Sequence, residues 1–314
     1  LLQIKKEEYL MAGKKYEKYV VELTFQDGPG LYRQMTEVSG AAYDLDFHVR
    51  YGTYLAAGQM GIESYGQHKH PFNQVNFWLG TDTDNIGDLG AEVELCLGDE
   101  WEKHMITTST AVSIPAGLPH YPAMINRIDK RFIYVEVSCA REYREEAIHS
   151  KKKDPGNLPL STWKAKYRPN IIPLPFIRKG PWMYGPTNRD DSGGHLAFIR
   201  GSDPGFDFLI MCESLKKAPY RFGPNPEKPH VHSLPEILFF VGTDTDNLAD
   251  LGGEAEIYLG KEKEMERYLI NRPTAVVIPG KIAHCPLTIT RVDRPFYLMD
   301  VRPFGTDMPR IGKL

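Results

Sequence analysis

His68-Lys69-His70-Pro71-Phe72-Asn73-Gln74 is matched 162 residues later (68 to 230) by His230-Val231-His232-Ser233-Leu234-Pro235-Glu236. The repeat extends well beyond these stretches. Gly80-Thr-Asp-Thr-Asp-Asn85 returns as Gly242-Thr-Asp-Thr-Asp-Asn247 in the same register. Thr110 to His120 parallels Thr274 to His284, and Arg127 to Glu136 parallels Arg291 to Asp300, now 164 residues apart (120 to 284), so the second copy carries two extra residues near Lys261. Two copies are too few for a solenoid, so the pattern is that of a duplicated domain. The 314-residue length accommodates two domains of ordinary size.

Each copy is written in short β-branched and aromatic runs, such as Val75 to Leu79, Ile237 to Val241 and Ala275 to Ile278, bounded by Gly, Pro, Asn and Asp. This predicts an all-β protein of sandwiches or barrels. Helix is expected only over Tyr143 to Lys152 and Lys14 to Tyr19. The chain divides into an N-terminal barrel (1–153), a Pro/Gly-rich connector (154–194) and a C-terminal barrel (195–314). The aromatic connector, with Trp163, Trp182 and Tyr184, is expected to pack across the barrels as a lid or subunit contact.

Composition narrows the function. Hydrophobic content of 41% and charged content of 25% are those of a globular protein. A net charge of −3 argues against nucleic acid as partner. No apolar run approaches the roughly 18 residues needed to cross a bilayer, so no membrane role is expected. The N-terminus lacks a signal-peptide core. Four cysteines without a CxxC pair read as reduced thiols, and together these features predict a cytoplasmic protein.

Six of the ten histidines fall on the repeated positions, which makes chance a poor explanation for the pattern. Residues i and i+2 of a strand face the same side. His68 and His70 therefore point together, as do His230 and His232, and position 74 or 236 returns to that face. His120 or His284 arrives on another strand. Three imidazoles with Gln74 or Glu236 suit a divalent transition metal (Mn, Fe, Zn, Ni or Co), one or two per chain, with positions left open for a small-molecule substrate. The other histidines, at 48, 104, 149 and 195, read as surface or packing residues. Asp82, Asp84 and Asn85 with their counterparts lack the distal Glu and the Gly of a calcium loop, and read as turns held by side-chain hydrogen bonds.

These residues resemble the cupin superfamily in its duplicated, bicupin form. Gly61, His68, His70, Gln74 and Gly80, and Gly223, His230, His232, Glu236 and Gly242, fit the first cupin motif with the spacing off by one at each end. Pro115-Ala-Gly117-Leu-Pro-His120 fits the second motif, and Pro279-Gly280 to His284 shifts its glycine by one. Neither half has the motif's asparagine in place; Asn126 comes two positions late. The resemblance covers roughly residues 40–140 and 195–305. It implies two tandem double-stranded β-helix (cupin, jelly-roll) barrels, a metal inside them and a homodimer.

The ligand difference between the halves points to chemistry. Three histidines with Glu resemble the germin-like site of cupins that include Mn and Fe oxidative enzymes. Three histidines with Gln resemble cupins that open sugar rings or cyclise polyketides. A neutral Gln leaves more positive charge on the metal, which suits Lewis-acid work. The leading expectation is therefore a ring-opening hydrolase, lyase or isomerase acting without redox change on a small cyclic keto/enol or sugar-like substrate. A dioxygenase of a small phenol or diketone, and a non-catalytic binding protein, are the alternatives. Strand alternation adds Asn76 and Trp78 as substrate contacts beside Gln74, with Tyr121 after His120. In the second half Tyr220 and Arg221 are placed to reach over the mouth. No general acid or base can be named from the sequence.

Overall fold

A computed structural model describes residues 13–28, 30–61, 66–148, 158–178, 193–201, 203–222 and 228–303. It is built from antiparallel strands. Among the described residues the longest helical element is the four-residue 3-10 turn Gly40–Tyr43.

Each half is two facing sheets. In the first half, one sheet runs in the order Ile171–Pro173, Thr110–Ile114, Gln74–Leu79, Ile133–Ser138, His48–Tyr54, Tyr32–Ser39. The other runs Glu146–Ala147, His68–Lys69, His120–Ile128, Asp88–Leu97, Glu102–Thr108. The second half repeats this around Thr274–Ile278, Glu236–Gly242, Phe296–Arg302 and Leu209–Leu215 on one side. Tyr220–Phe222, His284–Val292, Gly253–Leu259 and Glu266–Ile270 form the other side. The two extra residues of the second copy fall where four residues (98–101) join one strand pair and six (260–265) join its counterpart, which forms a 3-10 turn at Glu262–Glu264.

The alternation of the central strands follows from what lies on each face. Val75 and Phe77 face Ile237, Phe239 and Met299 in a core shared by the two halves. Trp78 faces inward, packed with Leu95, Ile125 and Tyr134. Leu238 and Phe240 do the same in the second half. Every residue of Gln74–Leu79 and Glu236–Gly242 is therefore buried, as strands covered on both faces must be.

The barrels are locked to each other near the repeated turns. Tyr51 donates its hydroxyl to the Gly242 carbonyl (3.1 Å), and Tyr297 donates to the equivalent Gly80 carbonyl (2.6 Å). Arg131 of the first half pairs with Asp246, and Lys216 of the second half with Asp84. The turns themselves are held as expected. Asp82 Oδ1 accepts from the Asp84 and Asn85 amides at 3.1 and 3.3 Å, and Asp244 Oδ1 from the Asp246 amide at 3.0 Å.

The sheets are shared across the sequence division at 153 and 194. Val20–Glu22 pairs with Thr274–Val276 on the edge of the second half, and Ile171–Pro173 from the connector pairs with Thr110–Val112 of the first. Trp163 is 78% exposed, so this part of the connector does not bury its aromatic; Trp182 and Tyr184 lie outside the described residues. The helix expected at Tyr143 to Lys152 is not formed over its described part. Glu146–Ala147 is instead a strand paired with His68–Lys69, because the edge of that sheet offers backbone partners that outweigh helix propensity. Near Lys14 to Tyr19, a 3-10 turn forms at Glu17–Tyr19.

Candidate metal centres and the cavity above the first

His68 and His120 are direct partners in the strand ladder, and His230 and His284 form the equivalent bridge. The i+2 relation then brings in His70 and His232. In each triad the nitrogens available for ligation lie within 4.8 Å of one another. The rings of His68, His70 and His120 stand 4.3 to 5.0 Å apart, and those of the second triad 4.3 to 5.1 Å.

In the first triad the tautomers are set by backbone carbonyls, which only accept. His70 Nδ1–H donates to Arg144 O at 2.8 Å and His120 Nδ1–H to Leu118 O at 3.0 Å. Their Nε2 lone pairs are buried without a hydrogen-bond partner. Gln74 donates its amide to Ser138 Oγ (3.1 Å), which leaves Oε1 buried and unpartnered as well. Buried acceptors in such numbers need a cation or donor. Burial holds His68, His70 and His120 below the ordinary histidine value, reinforced at His68 and His120 by the neighbouring imidazoles. Neutral imidazoles are the form that ligates. The first triad with Gln74 therefore fits a divalent metal.

The second triad has a different surround. His284 Nδ1–H donates to Ile282 O at 3.2 Å, as in the first half. Position 138, however, is occupied in the second copy by Arg302 (138 to 302). Arg302 Nη2 lies 2.9 Å from Glu236 Oε2 and 2.6 Å from Asp300 Oδ2, and Arg302 Nη1 lies 3.3 Å from His232 Nδ1. Glu236 Oε2 is also 2.8 Å from His232 Nε2, yet neither atom makes a hydrogen bond, nor does His284 Nε2. Burial alone would raise the Glu236 carboxyl, but Arg302 and the imidazoles of His284 and His232 hold it below the usual range. Burial and the nearby Glu236 push Asp300 up to about 6. Burial, with His284, takes His230 down to about 3.

The first centre opens on a sizeable cavity. It measures about 440 Å³ and reaches His68. Its walls carry Glu37, Arg50, Tyr121, Glu136, Tyr143 and Glu145. The Tyr121 ring lies on His68 (centroids 5.1 Å), and its hydroxyl meets that of Tyr134 at 2.9 Å; Tyr134 donates in turn to Glu136 at 3.4 Å. Glu145 Oε2 is 4.0 Å from His68 Nε2 and accepts from Tyr143 Oη at 3.0 Å. Arg50 lies against the Tyr143 ring, 5.0 Å from its centroid. His48 and Arg50 hold Glu37 down to about 2 against the opposing effect of burial.

The other sequence candidates are distributed unevenly. Asn76 is fully buried beside Gln74, and neither of its amide atoms has a hydrogen-bond partner. Trp78 is packed against Tyr134 at 5.2 Å and is not among the residues that line the cavity. Tyr121 lines the cavity. Tyr220 is buried inside the second barrel, 3.5 Å from Glu213 Oε2, whereas Arg221 is exposed on the other face of the same strand. Cys285, the counterpart of Tyr121, is buried, and burial pushes its thiol up. Sequence reading missed Arg50, Glu136, Tyr143, Glu145 and Arg302. The only signal available was the Glu136/Asp300 pair at the end of a repeated block.

The sequence matches no protein-family model and no curated protein. The fold does have known counterparts. An oxalate decarboxylase variant from Bacillus subtilis is similar over 95% of this chain and 80% of its own, with a TM-score of 0.58 and 9% identity. Lactobacillus farciminis oxalate decarboxylase is similar over 92% and 86%, with a TM-score of 0.53 and 13% identity. AerE from Microcystis aeruginosa is similar over 90% and 97%, with a TM-score of 0.51 and 12% identity. The chain has the bicupin fold. Its two jelly-roll barrels each bring three histidines together, and at these identities the likeness extends to architecture alone. Among the described residues no helix is long and apolar enough to cross a membrane.

Proposed function

We propose that this bicupin is a metal-dependent enzyme whose working site is the first barrel, acting without redox change on a small cyclic keto/enol or sugar-like substrate as a hydrolase, lyase or isomerase. The observation that carries this reading is the cavity of about 440 Å³ over His68, within the size range of small-molecule sites. A divalent metal held by His68, His70, His120 and Gln74 would supply Lewis-acid polarisation of a substrate oxygen. Manganese is the first metal to test, since a Bacillus subtilis oxalate decarboxylase of the same fold is described by its Mn(II) centres.

The protein's own groups do the rest. Glu145, between His68 and the Tyr143 hydroxyl, holds or moves a proton at the substrate. The Tyr121–Tyr134–Glu136 chain orients a hydroxyl at the inner wall. The Tyr32, Tyr54 and Met60 side chains give the cavity an apolar wall suited to a ring.

The test is turnover by manganese-loaded protein under strict anaerobiosis, screened over cyclic diketones, lactones and keto sugars. His68→Ala is expected to abolish activity and His230→Ala to leave it. Activity that requires oxygen favours the dioxygenase reading. Loss with His230→Ala alone moves the working site to the second barrel.

A further inference from the structure

Glu136 and Asp300 occupy the same place in the two barrels (136 to 300), but the arginines that balance them come from different directions. Glu136 is met by Arg50 on the neighbouring strand, over the cavity. The corresponding neighbour of Asp300 is Met211, which carries no charge. Asp300 is met instead by Arg302, two residues along its own strand, and that position faces the histidine triad.

We infer that Arg302 occupies the cation's role in the second barrel, so that the chain takes up one metal ion, in the first barrel, and holds none of comparable affinity in the second. Three contacts carry this. The guanidinium pairs with Glu236 Oε2 at 2.9 Å, so the carboxylate already has a buried cation beside it. It donates to His232 Nδ1, so the ring proton of neutral His232 resides on Nε2, 2.8 Å from Glu236. A ring protonated there offers no lone pair to a metal at that nitrogen. The two barrels differ at Nδ1: in the first the counterpart His70 holds Nδ1–H on the Arg144 carbonyl, whereas His232 Nδ1 accepts from Arg302. Ser138, the counterpart of Arg302, is neutral and binds only the Gln74 amide. A divalent ion entering the second triad would also sit beside a guanidinium in contact with His232 and Glu236 themselves.

The experiment is manganese binding to chelator-stripped protein, followed by calorimetry and by elemental analysis after dialysis, without reference to activity. Wild type is expected to retain one equivalent. His120→Ala loses it and His284→Ala keeps it. Arg302→Ser, which installs the first barrel's residue, is expected to gain a second equivalent; Asp300→Asn/Arg302→Ser removes the stranded carboxylate should the single variant fold poorly. Two wild-type equivalents within tenfold in affinity, one of them lost in His284→Ala, overturn the inference. Retention by neither site, or by the second alone, overturns it too. Because the readout is ion uptake, an inactive but singly loaded protein would count against the proposed chemistry and leave this inference standing.

Discussion

Arg50 is the direct cross-strand partner of Glu136, and its Nη1 lies 3.4 Å from that carboxylate while its Nε lies 2.8 Å from Glu37. The one guanidinium of the cavity is thus already committed. Among the described residues the walls carry, with Glu145, three carboxylates against one arginine, and a bound divalent ion brings that formal sum to zero. A neutral substrate preserves that balance, and a dianion upsets it where solvent screening is weak. Oxalate is therefore expected to be a poor substrate despite the fold shared with oxalate decarboxylases. Steady-state assays should give kcat/KM for oxalate at least tenfold below that for the best uncharged cyclic substrate; the reverse order would contradict the charge account.

Glu145→Gln keeps the shape of the side chain and its contact with Tyr143 while removing the titratable oxygen. A loss of about 10²–10⁴ in kcat, the usual contribution of general acid–base catalysis, is expected with metal content unchanged. Unchanged kcat would remove Glu145 from proton transfer.

Acid should destabilise the metal-free protein progressively. His68, His70, His120, His230 and His284 are all held below the ordinary histidine value of about 6.5. The unfolded chain therefore binds more protons than the folded one below that pH. Stability is full above about 6.5 and falls as pH drops towards about 3, the value for His230. Glu37, held to about 2, adds stability that is complete above the usual carboxylate range and lost only below it. Urea midpoints measured from pH 7.5 to 3.5 should decline continuously, beginning near 6.5. Manganese should raise the midpoint at neutral pH and lose this effect in acid, where protons compete for the imidazoles. A flat profile between pH 6.5 and 4.5 would contradict the buried neutral state.

The edge strand Val20–Glu22 closes the sheet of the second barrel against Thr274–Val276, and Arg272 pairs with Glu22 beside it. Deleting the chain before Phe25 should unprotect the amides of Thr274–Ile278 in hydrogen exchange while those of Thr110–Ile114, covered by Ile171–Pro173, stay protected. Equal loss of protection in both strands would show that the arm is not specific to the second barrel.

The barrels and their histidines were legible because their cause is periodic. A strand returns every second side chain to one face, and a duplicated register leaves the same mark twice. Alternation also put Asn76 and Trp78 on the Gln74 face, but of the first-half candidates only Tyr121, chosen because it follows His120, lines the cavity. What decides the character of the two centres is not periodic. Ser138 and Arg302 sit at the end of a repeated block, where one side chain changes the electrostatics without changing the strand. Arg50 reaches Glu136 only through a cross-strand pairing of residues distant in sequence. Tyr143 and Glu145 lie in a segment whose composition favours helix, and they enter the cavity because a sheet edge captures it as a strand. Tyr220 and Arg221 were expected to reach over the second mouth together, but Tyr220 turns inward and its strand neighbour Arg221 therefore turns out.

The most direct measurement is anomalous diffraction at the manganese edge from crystals of manganese-loaded protein. A peak within bonding distance of Nε2 of His70 and His120, with His68 and Gln74 completing the set, is the predicted result. No peak in the first barrel of a fully loaded sample would contradict the account.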